Sequence, residues 1–262
     1  MDPFANALLS LRAVTVGFGG PPVLDGADFG VQAGEAVVVL GPSGGGKSVL
    51  LKTLVGLLRP EAGEVWVCGE RVDDRPEAQL TELRRRVSYC FQNGALFDSM
   101  SVGDNLAYPL REHRSASEDE IAVRVGEALE RVGLGGKAEV MPAELSGGMR
   151  KRAALARAVI TRPEVILYDE PTAGLDPITA RQINALMNEL KDAPGAAAGS
   201  TPITTLTVTH DIESALHVGQ RVALLEAGKI SFSGDWAAAF KSDNSLLRAF
   251  LQGHTVGGAA AA

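Results

Sequence analysis

The stretch Gly41–Ser48 constrains this chain more than any other part of its sequence. It reads Gly-Pro-Ser-Gly-Gly-Gly-Lys-Ser, follows the apolar run Ala36–Leu40 and precedes the helix-forming run Val49–Leu54. Glycines at this spacing let backbone N–H groups converge on phosphate oxygens, and the N-terminal end of the following helix attracts the same anion. The order of strand, glycine loop and helix therefore predicts a nucleotide-phosphate site.

Two side chains of this loop have predicted chemical roles. Lys47 is expected to reach the β- and γ-phosphates as a point charge and is a candidate catalytic residue. The hydroxyl of Ser48 is a candidate ligand of the Mg²⁺ that bridges those phosphates. The candidate nucleotide-binding residues of this stretch are Gly41, Pro42, Ser43, Gly44, Gly45, Gly46, Lys47, Ser48 and Val49.

A second apolar run, Val165–Tyr168, ends in the two carboxylates Asp169 and Glu170. A buried parallel strand delivers such residues to the carboxyl edge of its sheet, where a phosphate loop also lies. Asp169 is the candidate Mg²⁺ ligand, directly or through water, and Glu170 is the candidate base that polarises the attacking water. Together the two motifs predict in-line hydrolysis of a nucleoside triphosphate.

Apolar runs of strand length alternate with helical or turn-rich stretches, which is typical of an α/β fold. Between Asp98 and about Arg157 the pattern becomes helical, most clearly over Glu118–Val132, and indicates an inserted helical subdomain. A turn at Glu226–Gly228 predicts a hairpin, so antiparallel pairs are expected beside a parallel central sheet. The predicted strands are Leu11–Val16, Ala36–Leu40, Val65–Val67, Val87–Phe91, Val165–Tyr168, Thr204–Val208, Arg221–Leu225 and Lys229–Gly234.

The chain is expected to form one domain over residues 8–234, with the helical subdomain at about 98–157, followed by a C-terminal region over 235–262. In that region one amphipathic helix is predicted from Trp236 to Leu251, with an apolar face packed on the core. The small-residue stretch 193–202 and the low-complexity tail 257–262 are predicted to be mobile.

Composition excludes several classes of protein. The formal charge is −7 and the pI is about 5.2, which argues against nucleic acid as a partner because that binding needs clustered Lys and Arg. The basic runs Arg84–Arg86 and Arg150–Arg152 are interpreted as solvated faces. Cys68 and Cys90 lack the spacing of a zinc site or disulfide framework. No export signal or long apolar run is found, so a chain that is neither exported nor membrane-spanning is expected.

The segment Leu145–Met149 reads Leu-Ser-Gly-Gly-Met and stands before the helix-forming run Arg150–Leu155. A serine hydroxyl and glycine N–H groups at a helix N-terminus can hold a phosphate. Following the glycine loop and preceding the Asp169–Glu170 pair, this segment resembles the signature motif of ABC transporter nucleotide-binding subunits. The resemblance covers about residues 11–234 and implies a P-loop NTPase fold of the ABC ATPase type, in which Ser146, Gly147 and Gly148 contact the ATP held by a second subunit.

Four further positions match that family one by one. Phe18 resembles the aromatic residue that stacks on adenine, and Gln92 resembles the glutamine that approaches Mg²⁺ and links the sheet to the helical subdomain. His210 resembles the histidine that contacts the γ-phosphate, and Asp176 lies in a segment that resembles the loop crossing the dimer interface. The resemblance thus implies ATP and Mg²⁺ as cofactors and two copies facing head to tail. Their closure would be transmitted through residues 92–109.

Met149, where the family often has glutamine, and the segments Phe91–Phe97, Asn105–Glu112 and Tyr168–Asp176 resemble the ATPases of Mla and Mce-type lipid transport systems. Those systems move phospholipid or related lipids between bacterial membranes. The resemblance implies an integral permease, a periplasmic Mce lipid-binding protein and a STAS-domain subunit as partners. It also implies a peripheral position on the cytoplasmic face of the inner membrane.

Other interpretations stay open at this point. Met149 and the three segments named above could also belong to an ABC importer ATPase for another solute, since fold and motif do not determine cargo. A soluble ABC ATPase of DNA repair or the ribosome usually has two nucleotide-binding halves or a long coiled coil, and neither is visible here. A P-loop kinase or GTPase would leave Leu145–Gly148 and His210 without a purpose.

Overall fold

The computed structural model describes residue 4 and residues 6–113, 116–192 and 202–258, with side chains described to residue 252. The chain divides into two compact units, one formed by Met1–Leu83 with Thr204–Ala262 and the other by Arg84–Ile203. The elements in chain order are β1 (Leu9–Val16), β2 (Leu24–Val31), β3 (Ala36–Leu40), α1 (Lys47–Leu54), β4 (Ala62–Val67), β5 (Glu70–Arg71), α2 (Glu77–Arg86), β6 (Val87–Cys90), α3 (Val102–Glu112), α4 (Glu118–Arg131), a 3₁₀ turn (Pro142–Glu144), α5 (Gly147–Val159), β7 (Val165–Asp169), α6 (Pro177–Lys191), β8 (Thr204–Thr209), α7 (Ile212–Val218), β9 (Arg221–Glu226), β10 (Lys229–Asp235), α8 (Trp236–Phe240) and α9 (Ser245–Gly258).

Strand β3 lies at the centre of the first unit. All five of its residues are buried, as expected for an apolar strand covered on both faces. It pairs in parallel with β8 and β9, and β9 pairs antiparallel with β10. The predicted α/β fold and the predicted terminal hairpin are both confirmed.

The first unit also contains an antiparallel sheet in the order β2-β1-β4-β5. Strand β2 was not predicted, because its sequence Leu-Asp-Gly-Ala-Asp-Phe-Gly-Val is rich in residues that disfavour strands. It forms through pairing with β1, which buries Leu24, Ala27, Phe29 and Val31. Tertiary pairing therefore overrides local propensity in this strand.

The second unit contains the parallel pair β6 and β7, in which Val87 pairs with Val165 and Cys90 with Tyr168. Just before the two strands, Arg86 forms an ion pair with Glu164 at 2.6 Å. Strand β7 is fully buried from Val165 to Asp169. The pair therefore brings the end of β6 and the carboxylates that end β7 to the same edge of the sheet.

Helices α3, α4 and α5 lie in the part of the second unit where the sequence predicts helices. Helix α4 ends one residue before the predicted Val132 and buries Ile121, Val125 and Leu129 at helical spacing. Each of the three helices begins after a serine whose hydroxyl accepts a hydrogen bond from a backbone N–H of the first turn, which sets its starting position. These serines are Ser101, Ser117 and Ser146.

The C-terminal region contains two helices, α8 and α9, instead of the single predicted helix. The chain turns at residues 241–244, and the side chain of Asn244 accepts a hydrogen bond from the backbone N–H of Leu247 at 2.9 Å. This contact satisfies a first-turn donor of α9 and starts a new helix. Leu247 and Leu251 are buried as predicted, but Phe240 is 56% exposed and does not pack in the core.

Three other sequence features can be placed in the structure. Within the described ranges, no helix is both long enough and apolar enough to cross a membrane. Cys68 and Cys90 are both buried thiols. The predicted mobile segments fall mainly on residues 193–201 and 259–262, which lie outside the described residues.

Candidate functional site

The loop Gly41–Gly46 leaves β3 and leads directly into α1. Gly44 and Gly46 have φ values of 76° and 95°, a left-handed conformation that favours glycine. At Gly41, a Cβ atom would lie only 2.7 Å from the carbonyl oxygen of Leu225. The spacing of the glycines is therefore required by backbone conformation and by close approach to β9.

The side chain of Lys47 closes this loop. Its Nζ donates hydrogen bonds to the carbonyl oxygens of Gly41 at 2.9 Å and Pro42 at 3.1 Å, and the residue is 6% exposed. Helix α1 is capped by Gly46, which has no side chain to accept a hydrogen bond from the first-turn N–H groups. A helix N-terminus of this kind is a suitable site for a phosphate. Ser48 and Val49 follow in the first turn.

Two other predicted site residues of the first unit, His210 and Phe18, lie near this loop. Leu40 pairs with Thr209, so Gly41 and the exposed His210 follow paired residues at the same edge of the sheet. Phe18 lies in the turn between β1 and β2, and its side chain is 63% exposed. The same turn contains Val23, whose Cγ1 would lie 2.9 Å from a Cβ at Gly46. The phosphate loop, His210 and the Phe18 turn are thus parts of one unit.

In the second unit, Asp169 and Glu170 end β7 and are 5% and 9% exposed. One carboxylate oxygen of Asp169, Oδ2, accepts a hydrogen bond from the hydroxyl of Tyr89 at 2.8 Å. Burial, together with the negative charge of Asp169, raises the pKa of Tyr89, so the phenol stays a proton donor. Glu170 has a φ of 48°, which costs about 1–2 kcal/mol for a residue with a side chain.

The buried side chain of Lys151 links Glu170 to Gln92. Its Nζ donates hydrogen bonds to the backbone carbonyls of Gln92 and, at 3.4 Å, of Glu170. Burial lowers the pKa of Lys151, although the nearby Cys90, Glu170 and Asp169 oppose that effect. The interpretation of residues 150–152 as a solvated face was wrong for Lys151, which is only 9% exposed.

Gln92 itself lies two residues beyond the end of β6, and its side chain is exposed. Cys90, two residues before it, is buried, and burial raises the pKa of that thiol to about 11. The segment that follows is held by Arg157, whose guanidinium donates to the carbonyls of Gly94 and Ala95 at 2.8 Å. The backbone of Gln92 and of the segment that follows it is therefore tied to α5.

Ser146 and Asp176 begin two helices of the second unit. The Ser146 hydroxyl accepts a hydrogen bond from the N–H of Met149 at 3.3 Å and starts α5. Asp176 accepts hydrogen bonds from the N–H groups of Ile178 and Thr179 at 3.0 Å and starts α6. Both helix starts line one depression of about 530 Å³, the cap depression, which includes Ser146, Gly147, Gly148, Gly174, Asp176 and Thr179.

The structure thus assembles the predicted residues in two sets. Phe18, the phosphate-loop residues Gly41–Val49 and His210 belong to the first unit. The remaining predicted residues, Gln92, Ser146, Gly147, Gly148, Asp169, Glu170 and Asp176, belong to the second. Sequence reasoning missed Tyr89 and Lys151. For Tyr89 there was a usable signal, because it lies two residues before the apolar run ends and shares a sheet face with Phe91.

Several known proteins are similar to this chain. The family model described as ABC transporter matches residues 24–173. The "Probable ribonucleotide transport ATP-binding protein mkl" of Mycobacterium leprae is 40% identical over 95% of this chain and 70% of that protein. The "Intermembrane phospholipid transport system ATP-binding protein MlaF" of Escherichia coli K12 is 38% identical over 97% of this chain and 91% of that protein.

A solved structure has a similar backbone. It is a dimeric ATP-binding cassette in a post-hydrolysis state bound to ADP and Pi, and it superposes with a TM-score of 0.77 at 32% identity. The superposition covers 87% of this chain and 98% of that one.

Proposed function

Because this chain belongs to the ABC transporter family and is an ATPase of that family, we propose that it powers the movement of phospholipid between bacterial membranes. The main support for ATPase chemistry is the glycine loop. Lys47 donates a hydrogen bond back to this loop, and helix α1 begins directly after it without a capping side chain. The proposal that the cargo is phospholipid rests on the similarity to MlaF, which extends over nearly the whole of both chains.

Each site residue has its own role in ATP hydrolysis. The loop N–H groups and Lys47 hold the phosphates, Phe18 stacks on the adenine, and His210 contacts the γ-phosphate. Glu170 accepts a proton from the attacking water as general base. The left-handed backbone of Glu170 and the hydrogen bond from Lys151 hold that residue in position at the end of β7.

The donor atoms of Ser48, Gln92 and Asp169 fit Mg²⁺, since hydroxyl, amide and carboxylate oxygens are the ligands this ion prefers. Among the described residues, no group of three or more His, Cys, Asp or Glu side chains forms a metal cage. The ion would be held by these protein oxygens together with phosphate and water. When bound, Mg²⁺ would neutralise charge on the β- and γ-phosphates.

A second copy of the chain completes each site. The cap depression presents the Ser146 helix start, Gly147 and Gly148, and it would receive the γ-phosphate of the ATP bound to the other copy. Asp176 lies in the same depression and would face the dimer interface. A dimeric cassette with a TM-score of 0.77 supports this arrangement.

The membrane partner would bind a groove in the second unit. This aromatic groove has a volume of about 430 Å³, and its walls include Tyr89, Phe91, Phe97, Tyr108, Pro109 and Arg157. Phe97 and Tyr108 are 42% and 39% exposed, and their rings contact each other with centroids 5.0 Å apart. A pair of exposed aromatic rings suits an apolar helix of a permease.

The loop before α3 forms one wall of this groove and is held in place by hydrogen bonds to Asn105. Asn105 is fully buried, accepts a hydrogen bond from the N–H of Phe97 at 2.7 Å, and donates to the carbonyls of Phe97, Met100 and Ser101. Movement of a bound permease helix would therefore be transmitted through residues 92–109. A STAS-domain subunit and an Mce lipid-binding protein are proposed as further partners, with the chain on the cytoplasmic face of the inner membrane.

Extraction of the tagged chain from native membranes in mild detergent, followed by mass spectrometry of proteins and lipids, tests this function. We expect a permease, an Mce-domain protein and bound phospholipid. Bound ribonucleotide with a different permease would favour the function named for the mycobacterial relative. Recovery in the soluble fraction without a membrane partner would overturn the transporter assignment and leave the ATPase chemistry intact.

The groove is tested in the same preparation by Phe97→Ser. We expect the variant to lose the permease while retaining ATP binding, because only the exposed part of the groove changes. Val123→Ser is the matched control, since Val123 is 61% exposed on α4, outside the groove. Equal recovery of the permease with both variants would contradict the groove assignment.

A further inference from the structure

Tyr89 connects the carboxylate end of β7 with the aromatic groove. Its hydroxyl lies 2.8 Å from Oδ2 of Asp169, and its ring lines the aromatic groove. The ring also packs on Phe91, with centroids 4.2 Å apart and an interplanar angle of 35°. One side chain therefore contacts the carboxylate at the end of β7 and the proposed permease site.

The strand register explains this position. Tyr89 pairs with Leu167 in the parallel β6–β7 pair. Side chains two residues apart in a strand share a face of the sheet, so Asp169 lies on the face of Leu167. Phe91 follows the last residue of β6, and its ring packs on that of Tyr89. The backbone thus directs the Tyr89 ring to Phe91 and its hydroxyl to Asp169.

We propose that Tyr89 is a positioning residue that holds the Asp169 carboxylate in the orientation needed for Mg²⁺ and relays occupancy of the aromatic groove to that carboxylate. This rests on the proposed function, because both the metal role of Asp169 and the permease role of the groove come from it. A tyrosine hydroxyl on one carboxylate oxygen restricts rotation of the carboxylate and still leaves it able to accept a metal.

The relay follows from the rigidity of the Tyr89 ring. A helix bound in the groove would press on Phe91 and Tyr89, whose rings are already in contact. The phenolic oxygen lies at the far end of the same rigid ring, so a shift of the ring moves the donor relative to Asp169. Groove occupancy would then change how well the carboxylate is oriented for Mg²⁺.

Tyr89→Phe tests the positioning role, because it removes the hydroxyl and keeps the ring. Mn²⁺ serves as the probe, with binding to the full chain measured by electron paramagnetic resonance in the presence of ATP. We expect the Mn²⁺ dissociation constant to rise about tenfold, the size typical for loss of a partner of a metal ligand. ATP binding measured in EDTA should stay as in the wild type.

Tyr168→Phe is the matched control, since it removes a buried tyrosine hydroxyl beside Asp169 that makes no hydrogen bond within the described residues, and it should leave Mn²⁺ binding unchanged. Equal Mn²⁺ affinity in the wild type and Tyr89→Phe would overturn the proposal. An equal loss of ATP binding in EDTA would also overturn it, because the hydroxyl would then support the nucleotide site in general. If the wild-type chain fails to bind ATP at all, the proposed function itself fails, and the two failures are distinguishable.

The relay is tested by repeating the Mn²⁺ titration on the transporter purified with its permease in lipid nanodiscs. We expect assembly to change the Mn²⁺ dissociation constant of the wild type and of Tyr168→Phe by the same factor. In Tyr89→Phe the change on assembly should disappear. A change of full size in Tyr89→Phe would show that the signal reaches Asp169 by another route and would overturn the relay.

Discussion

The phosphate loop takes its shape from contacts between residues five and six positions apart, whereas the end of β7 is held by residues 19 and 80 positions away. In the loop, the left-handed glycines and the hydrogen bonds of Lys47 set most of the geometry, although Gly41 also lies close to the distant Leu225 carbonyl. At Asp169 and Glu170, the geometry depends on Lys151 and Tyr89, which come from α5 and β6. The loop is therefore mainly a local structure and the carboxylate end a tertiary one, and substitutions should affect them differently.

The largest expected effect is that of Glu170→Gln at the carboxylate end. Loss of the general base should reduce ATP hydrolysis by about a thousandfold while ATP is still bound. The ATP-bound variant should accumulate as a dimer, which size-exclusion chromatography with light scattering would detect. Lys47→Met is the contrasting control, because it should weaken ATP binding itself. Hydrolysis near the wild-type rate would remove Glu170 from its assigned role.

The next largest effect is expected for Lys151→Met, which keeps the length of the side chain but removes its hydrogen bonds. Two backbone carbonyls, of Gln92 and Glu170, then lose a charged donor in a buried place. The free energy of unfolding should fall by about 2 kcal/mol, measured by urea denaturation, and ATP turnover should fall with it. Lys137→Met, at an exposed position of the same unit, should change neither quantity. A wild-type rate in Lys151→Met would show that tertiary support of Glu170 is dispensable.

Two glycine substitutions separate the two structural requirements of the loop, close approach to β9 and a left-handed backbone conformation. In Gly41→Ala the added Cβ meets the Leu225 carbonyl at 2.7 Å, so the clash should destabilise the fold by about 2 kcal/mol. In Gly44→Ala the added Cβ meets nothing within 4 Å. Only the positive φ should then lower the free energy of unfolding, by about 1 kcal/mol. Urea denaturation compares the two variants. The reverse order would show that conformation outweighs close approach in this loop.

The smallest effect is expected at the start of β6 and β7, where Arg86 and Glu164 are about one-third exposed. Glu164→Gln should lower the free energy of unfolding by about 0.5 kcal/mol, and salt should reduce the difference. This pair lies at the opposite end of the strands from Tyr89 and Asp169. Mn²⁺ affinity should therefore be unchanged, and a loss as large as that expected for Tyr89→Phe would contradict the local action of the Tyr89 hydroxyl.

The parts of the fold that could be predicted are those whose structure depends mainly on residues close together in the sequence. Strand β3 and helix α4 follow from an apolar run and from helical spacing, and their observed bounds match within one residue. Strand β2 could not be predicted because its stability comes from pairing with β1. The break between α8 and α9 was missed because Asn244 was not recognised as a helix start.

By itself, the sequence determined the identity of the phosphate loop, the order of the motifs and the family, because each depends on residues that are neighbours in the chain. Only the tertiary structure decided that Lys151 is buried between two carbonyls and that Tyr89 donates to Asp169. Only the fold also placed the starts of α5 and α6 in one depression. The physical reason is that burial and hydrogen bonding between distant residues depend on packing, which no local pattern of residues encodes.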